Sequence, residues 1–342
     1  MERNISPWVL GLIFLPFFYG CSSPKTLNLK GKSFDVPPTK IVWFQIAGFS
    51  EEHLSLLKYA GSQANRKLSF ENGHCFGKAW RYNIFKLRPN AFESFMSQMT
   101  GRRNFKSNCE DFRVKPFWLY MEGEKKDVGI FERGLAKFSF PNLNSCDDEG
   151  QTFYQKKARY WFSLRRPLRK NEQTFHYLEN TPFSKKGVYY DRSCHKKYCD
   201  SGFVGNIKSI YERWAKNKES FIFIIRDFKY LSELKKKNIL KIKRMLFDLE
   251  EIYSFFLDKL GKQDDLLVLL TGASPSKFEY PLSGRSWFDF EKKGKNILYR
   301  RPSLMSPIIA SGASAENFCG LYHESEVFKR LLWRSSAGKL IE

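Results

Sequence analysis

LLVLLTGASP, residues 266–275, opens with five branched apolar residues and then runs into a turn of small ones. Two similar apolar runs occur earlier in the chain, at 41–47 and 221–225. Short continuous runs of branched and aromatic residues are typical of strands that are buried on both faces of a parallel sheet. The turn after such a strand lies at the carboxyl edge of the sheet, where doubly wound folds place their functional groups.

The segment between the last two runs predicts a crossover helix. Apolar residues fall at helical spacing from Ile242 to Leu260, and Gly261 follows where a C-terminal cap belongs. A strand, a helix and a second strand make a βαβ unit, which connects parallel strands. We therefore predict an α/β fold, a three-layer sandwich with a mostly parallel central sheet, over residues 41–335.

The N-terminus resembles a bacterial lipoprotein signal. Residues 8–20 are apolar but shorter than the roughly 20 residues that a membrane-spanning helix needs, so 1–20 is predicted to be a signal peptide. Gly20 precedes Cys21 and serines follow it, as in a lipobox. The resemblance implies acylation of Cys21, with palmitate, and sorting to the outer membrane of the cell envelope. Residues 21–40 would then form a lipidated tether. An uncleaved anchor or a plain signal peptide is the alternative.

The cysteine count predicts disulfides. The chain has seven cysteines, so that an even number is left besides Cys21. In an oxidising compartment such a set is expected to pair. Cys194 and Cys199 are the most local candidate pair, and Cys75 with Cys109 is a second. The motif CHKKYC around Cys194 lacks the Cys-x-x-Cys spacing of zinc sites, so we expect no metal there.

The composition is strongly basic. Lys and Arg total 58 against 36 Asp and Glu, a formal net charge of +22, which favours anionic partners. Basic and aromatic residues concentrate between 106 and 215, which we interpret as an irregular insertion at one edge of the sheet. YWFSLRRPLRK, residues 160–170, interleaves the two types as nucleic-acid-binding surfaces do. For an exported chain, an anionic glycolipid or a solvated basic face is expected before nucleic acid.

Four segments resemble, in order, those of the alkaline phosphatase superfamily, which includes phosphatases, sulfatases and nucleotide pyrophosphatases. IVWFQIAGFS at 41–50 is similar to the first strand, which ends in Asp-Gly, and LRPNAFESFMSQMTG at 87–101 is similar to the nucleophile segment. DDLLVLLTGASP at 264–275 resembles the strand that carries a Thr-Ser-Asp-His-Gly turn. SPIIASGASAENFCGLYHESEVFKRLL at 306–332 resembles the closing block. The resemblance implies an alkaline-phosphatase-like fold.

The resemblance places the superfamily's site on residues that lack its chemistry. The matched positions are Ala47 for the first metal-binding Asp, Ala91 for the nucleophile, Ala273 and Ser274 for an Asp-His pair, and Arg301 for the late metal-binding His. Asp227 matches the central acidic ligand, whereas Leu231 stands where its His partner belongs.

A two-zinc hydrolase needs several carboxylate and imidazole ligands that converge on one pocket. Methyl groups cannot coordinate zinc, and Ala91 has no atom that can attack phosphorus. We therefore expect no metal, no cofactor and no catalysis by this mechanism. Arg301 has two interpretations. It is a candidate anion ligand that replaces the charge of the metal, or it pairs with a carboxylate such as Asp227 or Glu316 as a structural support.

These observations predict a catalytically inactive envelope lipoprotein that binds or scaffolds an anionic envelope component or a protein partner. The alternative is a hydrolase or transferase of phosphate or sulfate esters with a relocated site in the insertion, where His176, Asp191 and His195 offer acid-base groups. A Walker loop, a dinucleotide-binding glycine motif and a Gly-x-Ser-x-Gly elbow are all absent from the sequence, which removes the common nucleotide and serine-hydrolase interpretations.

Overall fold

Three buried strands form the centre of the sheet. They are β1 (Lys40–Ala47), β6 (Phe221–Asp227) and β7 (Leu266–Ala273), and β1 pairs parallel with both of the others. Every residue of β6 and β7 is buried. The three strands that the apolar runs predicted are thus confirmed. The structure, a computed structural model, describes residues 37–59, 67–83, 86–106, 109–121, 126–134, 158–163, 174–177, 203–281 and 283–332.

The other described strands are β2 (Cys75–Trp80), β3 (Asp127–Arg133), β4 (Ala158–Ser163), β5 (Thr174–Tyr177), β8 (Phe278–Glu279), β9 (Leu298–Tyr299), β10 (Met305–Gly312) and β11 (Gly320–His323). Within the described ranges, the main sheet has nine strands in the order β11-β2-β10-β7-β1-β6-β3-β4-β5. The strand β10 runs antiparallel to both of its neighbours, and the other pairings are parallel, so the predicted mostly parallel sheet is confirmed. A separate antiparallel pair is formed by β8 and β9.

Helices cover both faces of the sheet. Alternate residues of β1 enter two different hydrophobic clusters, with Phe44 in one and Trp43 in the other. The described helices are α1 (Glu52–Tyr59), α2 (Ala91–Thr100), α3 (Phe203–Ile210), α4 (Lys229–Lys235), α5 (Ile239–Leu260), α6 (Gly284–Lys293) and α7 (Glu326–Leu332). The first cluster includes α1, α3 and α5, and the second includes α2 and α7, which confirms the predicted three-layer sandwich. Within the described residues, no helix is long and apolar enough to cross a bilayer.

The crossover helix α5 is held by its apolar stripe and by its first turn. Ile242, Leu246 and Phe256 are buried on one face, at the spacing that predicted the helix. The Asn238 side-chain oxygen accepts a hydrogen bond from the Lys241 backbone N–H at 3.2 Å. This cap fixes the start of the helix at Ile239, three residues before Ile242. The helix ends at Leu260, before Gly261, as predicted.

The described strands of the segment 106–215 lie at one edge of the sheet, and this part of the chain is more regular than the sequence indicated. They are β3, β4 and β5, which run parallel, and β3 pairs with β6 along its whole length. The sequence of β3, DVGIFER, ends in two charged residues, and both are buried. Because buried charges break the apolar pattern that marks a parallel strand, this strand escaped prediction.

A disulfide links Cys75 to Cys319, with 5.2 Å between the Cα atoms. Cys75 begins β2, and Cys319 precedes β11, which runs beside β2 with Gly320 opposite Gly77. The predicted pair of Cys75 with Cys109 is therefore wrong, because strand pairing brings together two cysteines that are 244 residues apart. Cys194 and Cys199 lie outside the described residues.

His53 connects the turns at the carboxyl edge of the sheet. Its Nε2 donates to the Ser276 carbonyl at 2.8 Å, so Nδ1 is the acceptor and receives the Tyr230 hydroxyl at 2.7 Å. The ring stacks on Phe278 with 4.5 Å between centroids. Complete burial lowers the pKa of His53 to about 4, and the ring is accordingly neutral at pH 7.

Replacing Cys75 and Cys319 by alanine should lower the free energy of unfolding by about 2 to 5 kcal/mol, because the bridge restricts the unfolded chain over a very long loop. Urea unfolding without reductant measures the difference. Peptide mapping of the unreduced wild type should recover Cys75 linked to Cys319. A peptide that joins Cys75 to Cys109 would contradict the strand pairing.

Acidification should destabilise the protein through His53. Between pH 6.5 and about 4 the unfolded state takes up a proton that the folded ring excludes, so the free energy of unfolding falls by up to roughly 3 kcal/mol. A His53→Phe variant should be less stable at pH 7, yet lose less stability across this interval. Urea unfolding at a series of pH values measures both.

Tyr230→Phe is the matched control for this experiment. The variant lacks the hydroxyl that donates a hydrogen bond to His53 but retains the buried imidazole. Its free energy of unfolding should therefore fall by about 1 kcal/mol, while its loss of stability in acid should persist. Equal slopes for wild type and His53→Phe would show that another group is responsible.

Candidate functional site

The strands β7, β1 and β6 end side by side at the carboxyl edge. Across the pairing, Ala47 lies opposite Ala273, and Ile46 lies opposite Asp227. Ala91 is the first residue of α2 and belongs to the same hydrophobic cluster as Ala47 and Ala273. The backbone thus brings Ala47, Ala273 and Asp227 to one edge of the sheet. Ala91 lies on the same face as Ala47 and Ala273, whereas the Asp227 side chain shares the opposite face with Ile225.

Ser274 and Arg301, the other two positions that the resemblance assigned to the site, lie in neighbouring segments. Ser274 directly follows β7 with a left-handed backbone, φ 51°. The chain around Arg301 runs beside this turn, since the Ser303 N–H donates to the Pro275 carbonyl at 3.0 Å. The Arg301 side chain is exposed and, among the described residues, has no ion-pair partner. It therefore does not support Asp227 or Glu316, and its role as an anion ligand stays a prediction.

Asp227 has a different cation as its partner. Its Oδ2 lies 3.5 Å from Nη1 of Arg133, and its Oδ1 accepts from the Tyr230 backbone N–H at 3.0 Å. Arg133 ends β3 and lies directly opposite Asp227 in the pairing. Both side chains are buried, at 7% and 5% exposed, so this is a fixed and poorly solvated ion pair. Arg133 was missed because β3 was not predicted.

A second buried ion pair lies one residue earlier in the same two strands. Nη1 of Arg226 is 3.5 Å from Glu132, and these side chains are 0% and 1% exposed. Arg226 packs beside the rings of Phe95 and Phe228, at 5.4 and 5.2 Å from their centroids. Because successive residues of a strand face opposite ways, the two pairs lie on opposite faces of the sheet. Removing one partner of either pair would leave a buried charge without its counter-ion, which would lower the free energy of unfolding by about 3–5 kcal/mol.

The helix α2 is attached to the edge by a chain of polar contacts. Gln98 donates to the Gly272 carbonyl at 3.1 Å and accepts from the Thr271 hydroxyl at 2.7 Å. The indole N–H of Trp43 donates to the same hydroxyl at 2.9 Å. Behind α2, burial raises the pKa of Glu324 to about 7, although Arg81 acts in the opposite direction. The contacts of Gln98 hold α2 against the end of β7, and Asn90, whose side chain accepts from the Glu93 N–H, caps the helix just before Ala91.

The residues at the carboxyl edge do not fit a pair of zinc ions. Among the described residues, no group of three or more His, Cys, Asp or Glu is placed to hold a metal. Asp227 is already bonded to Arg133, whose fixed positive charge would repel a dication. Ala47 and Ala273 offer methyl groups where ligands are needed. We derive no metal-dependent step from this set.

The relocated site in the insertion lies largely outside the described part of the chain. His176 falls in β5, but its side chain is not among those described, and neither Asp191 nor His195 lies within the described residues. The alternative enzyme therefore stays a prediction that the structure does not test.

No protein-family model matches the sequence, and no curated protein matches it. Solved structures do match. Alkaline phosphatase from the Antarctic bacterium TAB5 superposes with a TM-score of 0.62 at 11% identity, over 89% of this chain and 99% of that one. The Thermus thermophilus alkaline phosphatase gives 0.59 at 12% identity, over 90% and 94%. The cold-active enzyme of the psychrophile Shewanella sp. gives 0.58 at 9% identity, over 86% and 98%. The chain therefore has the fold of the alkaline phosphatases.

Proposed function

We propose that the chain is a non-catalytic binding module of the bacterial cell envelope, anchored at the outer membrane by a lipid on Cys21. Its partner is an anionic envelope component, and a protein partner is the second candidate. The observation that carries this proposal is the buried ion pair between Arg133 and Asp227. A guanidinium there has the charge that a hydrolase of this fold would need from a metal ion.

The strand and helix ends on the other face of the same edge support a role without catalysis. A covalent mechanism needs an oxygen or sulfur nucleophile at the start of α2, where the chain has Ala91. The neighbouring strand ends carry Ala47 and Ala273, which can neither ligate a metal nor transfer a proton. A group that polarises a phosphate ester would therefore have no nucleophile beside it.

The charge of the chain supports an anionic partner. The excess of 58 basic over 36 acidic residues gives a formal net charge of +22, and several kT of positive potential at the surface would concentrate anions from the envelope. A basic partner would be repelled by this potential, and a neutral partner would gain nothing from it. The net charge therefore favours an anionic glycolipid or an acidic polymer over an uncharged ligand.

The purified chain should not hydrolyse aryl phosphates or aryl sulfates in the presence of zinc and magnesium, and it should contain no stoichiometric zinc. Release of nitrophenol and elemental analysis measure the two. Asp227→Asn is the control. Activity that is present in the wild type and absent from a folded Asp227→Asn variant would contradict the proposal, whereas equal activity in both preparations identifies a contaminant.

Cys21→Ala should abolish incorporation of labelled palmitate and release the chain from the outer-membrane fraction, because the acyl chains supply most of the anchoring free energy. Metabolic labelling and fractionation of cells that express the full chain measure this. Ser22→Ala, next to the predicted acylation site, should retain label and location. Retention of label in the Cys21→Ala variant would contradict lipidation at this residue.

A further inference from the structure

Three large apolar side chains are exposed on adjoining segments of the protein. Phe288 of α6 and Leu298 of β9 are each 51% exposed, and Leu240 in the first turn of α5 is 50% exposed. Single exposed apolar residues are common on protein surfaces, whereas a group of them marks a surface that contacts a partner or a membrane. The surface around these three side chains is therefore a candidate for such a contact.

Contacts between the segments hold them side by side. A Cβ atom added to Gly294, which follows α6, would lie 3.6 Å from Cγ of Leu240. The Asn296 side chain donates to a carbonyl in the first turn of α6 at 3.2 Å, which folds the loop before β9 back onto that helix. Ile239 and Phe290 are buried in the same hydrophobic cluster. The exposed residues beside them thus belong to one continuous outer surface.

The α6 surface, which comprises residues 235–241 and 285–298, is strongly basic. The first range has four lysines and no acidic residue. The second has three lysines and one arginine against Asp289 and Glu291, and Asp289 pairs with Lys293 at 3.0 Å. The charge of the surface is therefore positive even when both carboxylates are counted, and it favours an anionic partner.

Several cations of the α6 surface have no carboxylate of their own. Arg285, Lys235 and Lys295 are exposed and form no ion pair within the described ranges of the chain. Glu233 is shared by two lysines of the surface, at 3.1 Å from each Nζ. An anionic partner would neutralise these charges, whereas a neutral partner would gain nothing from them.

Basic and apolar side chains lie together on the outer face of α6. Arg285, Phe288 and Lys292 are three and four residues apart, the spacing of one helix face, and all three are exposed. Nζ of Lys292 lies 4.8 Å from the Phe288 ring centroid. A long lysine side chain beside an exposed ring lets the ring enter a membrane interface while the ammonium group stays at the level of the phosphates.

We propose that the α6 surface lies against the anionic headgroup layer of the membrane to which the chain is anchored. Its lysines contact lipid phosphates, and its three exposed apolar side chains enter the boundary between the headgroups and the acyl chains. The inference rests on the proposed envelope function. It identifies the anionic component as lipid headgroups and gives the domain an orientation on the membrane.

The length of the chain before β1 allows this orientation. The 16 residues 21–36 can extend over roughly 50 Å, at about 3.3 Å for each residue. A strand of eight residues such as β1 spans only about 26 Å. A lipid on Cys21 can therefore lie in the membrane while either end of the sheet faces it.

Amine labelling of the lysines tests the contact. The whole chain is reconstituted in phosphatidylcholine vesicles with or without phosphatidylglycerol, treated with an acetylating reagent and analysed by mass spectrometry. Lys292 and Lys295 should be labelled at least about fivefold more slowly in the anionic vesicles, which corresponds to the ~1 kcal/mol of one lysine at an anionic surface. About 1 M salt should restore their labelling, because it screens the attraction.

Two lysines outside the α6 surface serve as internal controls. Lys262 follows the far end of α5, roughly 33 Å from its first turn, and Lys329 lies on α7, which covers the other face of the sheet. Both are exposed. Their labelling should differ by less than about twofold between the two kinds of vesicle, since they lie beyond the Debye length from the membrane.

A pair of variants tests the apolar part of the contact. Phe288→Ser/Leu298→Ser removes two exposed side chains from the α6 surface and should abolish most of the protection of Lys295. The matched control is Phe76→Ser/Leu321→Ser, which removes two side chains of similar exposure, 53% and 57%, from β2 and β11, and it should keep the protection. Thermal unfolding establishes that both variants fold. The reverse result, with protection lost only in the control, would overturn the proposal.

Two further outcomes would overturn the membrane contact. One is equal labelling of Lys292 and Lys295 in the two kinds of vesicle. The other is protection by soluble polyglutamate but not by anionic vesicles, which would assign the surface to an acidic polymer. The whole chain is reconstituted whether or not Cys21 is acylated, so the palmitate and hydrolysis experiments can fail without affecting the labelling ratios, and the reverse also holds.

Discussion

The parallel register of β7, β1 and β6 determines what chemistry this protein has at its carboxyl edge. The strands are paired residue for residue, so their last residues form a row in which Ala47 and Ala273 adjoin the strand of Asp227. Burial on both faces leaves little water to solvate a charge in this row. The single carboxylate of Asp227 therefore requires a cation close by, and the identity of that cation decides the function that the edge can have. A guanidinium from the next strand meets this requirement.

The same requirement fixes the register of β3 against β6. Glu132 faces Arg226 and Arg133 faces Asp227, so the order of charges along one strand is the reverse of that along the other. A slip by one residue would place Arg133 opposite Arg226, or Glu132 opposite Asp227. Either arrangement buries two like charges together, which a low dielectric penalises strongly. Buried ion pairs add little net stability, but here they exclude the alternative registers on both faces of the sheet.

The sequence predicted the features that depend on local pattern and missed those that depend on contact between distant segments. β1, β6, β7 and α5 follow from apolar runs and helical spacing, and so does the carboxyl edge at which β1 and β7 end in Ala47 and Ala273. Arg133 could not be found in this way, because its partner Asp227 is 94 residues away. Its strand also carries charged residues, which the sequence alone would assign to the surface. The bridge from Cys75 to Cys319 has the same origin, since only the pairing of β2 with β11 makes these residues neighbours.

Arg133 connects the edge to the helix α3 on one face of the sheet. One of its guanidinium nitrogens lies 3.5 Å from Asp227, and the guanidinium carbon lies 4.3 Å from the ring centroid of Phe203, the first residue of α3. A dication bound by Asp227 would repel this guanidinium and draw it away from both contacts. One buried ion pair therefore joins the end of β6, the end of β3 and the start of α3, and it gives Asp227 a cation that belongs to the chain itself.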